Sequence, residues 1–163
     1  MKIRKLEDKD AVRMLEWMHD PAIVGKLRTD FGSKTIEDCR SFIKNSTDKH
    51  NIHYAITDDD DLYMGTVSLK NIFGDRAEFG IVLHGDAIGK GYSLPAMEYV
   101  LDNGFNDYGL DYVFWCVAPD NLRALRFYDK NGFIRTDAHD LAITDDYTQE
   151  MKDSYIWYKV TAK

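Results

Sequence analysis

The chain has 163 residues, the length of one ordinary domain, and its 44% hydrophobic content is enough to enclose a substantial core. A formal net charge of −7 argues against general binding to nucleic acid, which needs a basic face to displace counterions. Cys39 and Cys116 are too few and too far apart for a disulfide framework or a metal site, and no apolar run is long enough for a signal peptide or membrane span. A single cytoplasmic domain over residues 1–163 is expected, with no metal.

Lys2 to Leu6 reads as a first strand, and Asp8 to His19 carries apolar residues at helical spacing up to the stop at Asp20-Pro21. Residues 22 to 34 read as loop. Thr35 and Asp38 form a capping-box pattern that opens a second helix, with Ile36, Cys39, Phe42 and Ile43 on its buried side. Short β-rich runs follow at Ile52 to Thr57, Tyr63 to Ile72 and Ala77 to Leu83, an antiparallel meander whose four consecutive aspartates, Asp58 to Asp61, make a solvated turn.

The third of these runs continues into Ile81-Val82-Leu83-His84-Gly85-Asp86-Ala87-Ile88-Gly89-Lys90-Gly91-Tyr92-Ser93, a strand leading through a glycine-rich loop into a helix. Glycine frees the backbone to turn N–H groups inward, and the helix start adds unpaired donors and a positive dipole end. The pattern predicts an anion site. A third helix carries Leu94, Met97, Val100, Leu101 and Phe105 on one face, and a strand is expected at Tyr112 to Val117. A fourth helix runs from Pro119-Asp120-Asn121 to about Lys130, and strands near Phe133 to Thr136 and Tyr155 to Val160 finish the chain.

The glycine loop followed by Asn121-Leu122-Arg123-Ala124-Leu125-Arg126-Phe127-Tyr128 and Asn131-Gly132-Phe133 resembles the GNAT superfamily of acetyl-coenzyme A dependent N-acetyltransferases over nearly the whole chain. The resemblance implies an α/β (α+β) fold: a mixed, mostly antiparallel central sheet of about seven strands with four helices. The family motif Gln/Arg-x-x-Gly-x-Gly/Ala maps onto Asp86 to Gly91, where both glycines match and Asp86 departs. A carboxylate beside two phosphates is unfavourable, so the Asp86 side chain is expected to face solvent, leaving binding to the backbone.

By the same resemblance, two adjacent strands splay apart. Backbone near Val82, Leu83 and His84 then pairs with the pantetheine arm of acetyl-coenzyme A, while Gly89, Lys90, Gly91, Tyr92, Ser93 and Asn121 complete the cofactor site. Tyr128 is implied as the acid for the departing thiolate, a role suited to a phenol. Glu78 is the favoured base, directly or through water, because it alternates along its strand with apolar Phe79 and Ile81; an ion-paired surface position competes equally. His84 and, less strongly, His53 are rival bases.

The likeness is greatest to the branch holding ribosomal-protein, spermidine and amino-sugar acetyltransferases. Gly65 to Ile72 with Ala77 to Gly80 favours the 4-amino group of a nucleotide-linked sugar as acceptor, with Trp17, Phe31, Tyr54 and Trp115 as ring-lining candidates that serve equally well in a core. A protein N-terminus, a polyamine and a non-catalytic acyl-coenzyme A binding module remain alternatives. The acidic surface favours a cationic acceptor, and a homodimer is compatible with the family, the Tyr155-Ile156-Trp157-Tyr158 strand serving either core or interface.

Overall fold

In the computed structural model, which describes residues 1–141, 143 and 147–163, seven strands form one sheet in the order β1-β2-β3-β4-β5-β7-β6. They are β1 (Lys2–Lys5), β2 (Ile52–Thr57), β3 (Tyr63–Phe73), β4 (Arg76–Leu83), β5 (Tyr112–Val117), β6 (Ile134–Thr136) and β7 (Ile156–Thr161). Among the described residues only β4 and β5 run parallel; every other neighbouring pair is antiparallel. The mixed sheet matches the expectation from sequence.

Six α-helices are described rather than four: α1 (Ala11–Met18), α2 (Pro21–Val24), α3 (Ile36–Lys44), α4 (Ser93–Asn106), α5 (Leu122–Lys130) and α6 (Gln149–Ser154). The two unforeseen helices are short and carry local caps. Asp20 ends α1 but also caps α2, its carboxylate accepting from Ala22 N–H at 3.0 Å, and Pro21 fits a first helical position because its missing N–H would have no partner there. Thr148 does the same for α6, accepting from Met151 N–H at 3.2 Å. At α3 the capping box is formed, with Asp38 N–H donating to Thr35 Oγ1 at 3.3 Å and Thr35 N–H to Asp38 Oδ2 at 2.8 Å.

Strand alternation sends side chains to two faces. On one, Val67, Leu69, Phe79, Val113 and Trp115 pack with Ala96, Met97 and Val100 of α4 and with Leu125 and Tyr128 of α5. The other face is divided. Over β1 to β4 it is covered by Met14, Trp17 and Met18 of α1 and Cys39 and Ile43 of α3; over β5 and β7, by Ala138, Leu141 and Tyr147 of the C-terminal segment. A seam runs between these two covers. β7 lies between β5 and β6, with its Trp157 and Tyr158 in the core, each contributing about 2 kcal/mol or more through removal of apolar surface from water.

One break in the sheet positions everything that follows. β4 and β5 pair only through Arg76 with Tyr112, Ala77 with Val113 and Glu78 with Phe114. Beyond Glu78, β4 continues to pair with β3 as far as Leu83 while its β5 side is open. Backbone polar groups on an open strand side need a partner, so this gap is a place for an extended ligand to pair.

Candidate functional site

Past the open side of β4 the chain turns through Gly85–Ala87 into the glycine loop. Gly89 and Gly91 have φ of +77° and +83°, the left-handed region that a Cβ disfavours, and a Cβ built on either would meet nothing within 4 Å. Space therefore exists above both. Among the described residues, the N–H groups of Gly89, Gly91 and Ser93 donate to nothing, and they stand at the start of the fourteen-residue helix α4. Tyr92 and Ser93 open that helix half-buried, and Lys90 is exposed and forms no ion pair among the described residues. A pyrophosphate group fits such a cradle on geometry and charge.

Asp86 is mostly exposed, as expected, but has a partner: its carboxylate lies 3.2 Å from Arg13 Nη2, which reaches out from α1. Arg13 also donates through Nε to Tyr63 O at 2.7 Å. The charge that seemed misplaced in the loop is thus matched by a basic side chain more than seventy residues away in sequence.

His84 is buried with both ring nitrogens engaged. Nδ1 accepts from Asp86 N–H at 3.0 Å, which places the ring proton on Nε2, and Nε2–H donates to Glu16 Oε2 at 2.6 Å. A histidine held in this way shapes the turn before the loop and has no free nitrogen for a substrate proton. Its main-chain N–H donates to Met64 O at 2.8 Å. Because backbone groups alternate along a strand, Ile81 and Leu83 turn theirs toward the gap, whereas Val82 and His84 turn theirs to β3.

Asn121 caps α5, accepting from Ala124 N–H at 3.4 Å. Tyr128, two turns on, is buried against Trp115, Phe133 and Tyr158, with ring centroids 5.1, 6.1 and 5.1 Å away. Burial first, and then Tyr158 and Cys116, push its phenol above the ordinary range, so it stays protonated at neutral pH. Its hydroxyl has no hydrogen-bond partner among the described residues. Beside it, the indole N–H of Trp115 is a buried donor without an acceptor among the described residues. Such an orphan costs about 1–3 kcal/mol, and its position on β5 just past the last pair with β4 is where an entering ligand can offer an acceptor.

Glu78 sits on the opposite face, in the seam, and is only 4% exposed. Its Oε2 accepts from Asn71 Nδ2 at 3.1 Å, its Oε1 lies 3.6 Å from Lys70 Nζ, and Tyr147 donates its hydroxyl to Oε1. Asn71 reaches Glu78 because it adopts φ of +51° where the β3–β4 register shifts, a bulge conformation that asparagine tolerates. The Tyr147 ring is covered by the Arg28 guanidinium at 4.2 Å and meets Trp157 edge-on at 5.1 Å. Burial, followed by Glu78, raises the Tyr147 phenol, and burial with Glu78 pushes the Cys116 thiol up to about 11. Neither group ionises easily there.

His53 lies on the same face, its Nδ1 2.6 Å from Ser68 Oγ, and burial together with Lys70 lowers it to about 4. Trp17, Tyr54 and Trp115 are buried and Phe31 packs edge-on against Trp17 at 4.9 Å, so all four aromatic candidates for a ring platform are engaged in packing. Lys70, Asn71, Tyr147, Arg28 and Arg13 were not anticipated. An asparagine inside a strand is the only one of these with a local signature, that of a bulge.

A family model described as "Acetyltransferase (GNAT) domain" matches residues 1–134. An uncharacterised N-acetyltransferase of Bacillus subtilis, YnaD, is 28% identical over 135 residues, covering 82% of this chain and 78% of that protein. Among solved structures, spermidine N-acetyltransferase from Vibrio cholerae in complex with CoA and spermine superposes with a TM-score of 0.79 at 19% identity, covering 98% of this chain and 94% of that one. A GNAT-family acetyltransferase from Bacillus anthracis gives 0.75 at 22% identity, covering 98% and 93%.

Proposed function

The chain belongs to the GNAT acetyltransferase family and is an acetyl-coenzyme A dependent N-acetyltransferase, and from that premise we propose that it acetylates the primary amine of a small polyamine-type acceptor, with Glu78 as base and Tyr128 as acid. The observation that carries this reading is the buried carboxylate of Glu78 at the point where β4 and β5 part, across the sheet from the phenol of Tyr128. The ribosomal-protein branch adds nothing to it. A solved relative of the same fold holds spermine, and the net charge of −7 draws polycations toward the surface.

Acetyl-coenzyme A supplies an acyl group already activated as a thioester. What the chain must add is orientation, an uncharged amine and a proton for the leaving sulfur. Gly89, Gly91 and Ser93 offer N–H donors for the pyrophosphate, with Lys90 nearby, and the open sides of Ile81 and Leu83 offer backbone pairing for the pantetheine arm. Glu78 removes the amine proton, with Tyr147 and Asn71 fixing its carboxylate. Tyr128, kept protonated by burial, gives its proton to the sulfur.

A nucleotide-linked 4-amino sugar is the second reading, favoured by the basic side chains of Arg28 and Lys70 at the seam, which suit phosphate oxygens. Thiol release from acetyl-coenzyme A, followed across spermidine, spermine, amino-sugar nucleotides and short peptides, separates these. Saturable turnover of polyamines with little on the others supports the first reading; turnover of the sugar nucleotide alone replaces it. Saturable cofactor binding with no turnover on any amine supports a binding module instead.

A further inference from the structure

Lys70 belongs to the seam more than to the surface. It stands opposite Glu78 in the β3–β4 register, and its side chain crosses Gly80, where an added Cβ would lie 3.1 Å from Lys70 Cε and 3.4 Å from Nζ. Glycine keeps that path clear. The ammonium ends 3.6 Å from Glu78 Oε1, and its charge lowers the proton affinity of both His53 and Cys116, so it is felt on β2 and β5 alike. Gly80 follows the last β4–β5 pair by two residues. A primary amine is therefore tethered next to a buried carboxylate at the opening in the sheet, the arrangement an acceptor amine requires.

We propose that Lys70 is an internal acceptor and that the enzyme acetylates it in the absence of a free amine. The inference rests on the transferase reading and on Glu78 as base. Glu78 takes one proton from the Lys70 ammonium, and the freed nitrogen forms a bond to the acetyl carbonyl carbon. The carbon–sulfur bond breaks, and the thiolate leaves with the proton of Tyr128; the second proton lost by nitrogen restores the Tyr128 phenol by way of solvent, and Glu78 releases its proton to solvent. The product is a neutral amide at Lys70 and free coenzyme A. It removes the cation that Glu78 faces, so external amine turnover changes as the modification accumulates.

The test is a time course of peptide mass spectrometry on the intact protein incubated with acetyl-coenzyme A alone, with the exposed Lys44 and Lys49 as references for uncatalysed acylation. Lys70 should gain one acetyl group at least about tenfold faster than the references, at a rate independent of protein concentration. Glu78→Gln should slow Lys70 by about a hundredfold while leaving the references unchanged. Gly80→Ala, which obstructs the path of the side chain, serves if the first variant fails to fold and should also slow Lys70 selectively. A Lys70 no faster than Lys44 in protein that turns over a free amine overturns self-acetylation alone. Absence of both cofactor binding and thiol release with every amine overturns the transferase reading as well.

Discussion

The two faces of the sheet were built by different means. The cradle proposed for the cofactor is written in one stretch: β4, the glycine loop and α4 follow one another from Arg76 to Asn106, and what they offer is mainly backbone. The seam proposed to receive the acceptor is assembled from Lys70 and Asn71 of β3 and Glu78 of β4 together with the distant Arg28 and Tyr147, side chains that meet between two packed covers. Backbone geometry needs only glycines and a helix start. A charged seam needs partners from several elements, so more of the fold must be in place before it forms.

Substitutions on each face should therefore fail differently. Tyr128→Phe is expected to give a large loss, about a hundredfold in kcat, with unchanged acetyl-coenzyme A affinity by calorimetry, since the hydroxyl supports no hydrogen bond among the described residues. Weakened cofactor binding in this variant would move Tyr128 from chemistry to scaffold. Gly91→Ala forces a side chain onto φ of +83°, costing about 1–2 kcal/mol and weakening the cofactor by roughly tenfold, with little change in acceptor KM. Equal losses in both constants would show that the faces are not separable.

His53 supplies a pH handle on the acceptor face. Its folded value of about 4 lies below its ordinary 6.5, so protonation favours the unfolded chain as pH falls. Stability is full above pH 6.5 and should decline by about 3 kcal/mol toward pH 4. His53→Gln should flatten that slope in denaturant titrations, and an unchanged slope would assign it to another group. The smallest effect is expected at Asp61, which hydrogen bonds to Arg4, then Lys9, hold at about 2 against an ordinary 3.8. Its contribution is present above pH 3.8 and lost on approach to pH 2, and Asp61→Asn should alter acid unfolding only within that window.

The division between faces also explains what the sequence disclosed. The glycine loop, the Thr35–Asp38 cap and the strand alternation are local patterns, and each formed where expected. Residues 22 to 34 read as loop because Asp20-Pro21 signals a stop; the same dipeptide starts α2, and a stop is indistinguishable from a restart without the packing beyond it. Asp86 looked unmatched because Arg13, its partner, lies on α1. Tyr147 carries no local mark at all: its role exists only because β7 brings the C-terminal segment back beside β5 and over Glu78. A base projecting into a substrate cleft and an exposed residue paired to a cation are equal readings of Glu78 from sequence; in the fold the carboxylate faces Lys70, as the second expects, but is buried.

If Glu78 is the base, acetyl transfer depends on its carboxylate while cofactor binding at the glycine loop does not. Rapid-quench measurement of a single acetyl transfer in Glu78→Gln, with acetyl-coenzyme A and the best acceptor both saturating, tests this dependence most directly. The transfer step should slow by about a hundredfold or more, with cofactor affinity within about twofold of the parent. A transfer step of normal rate would contradict it and remove Glu78 from the chemistry.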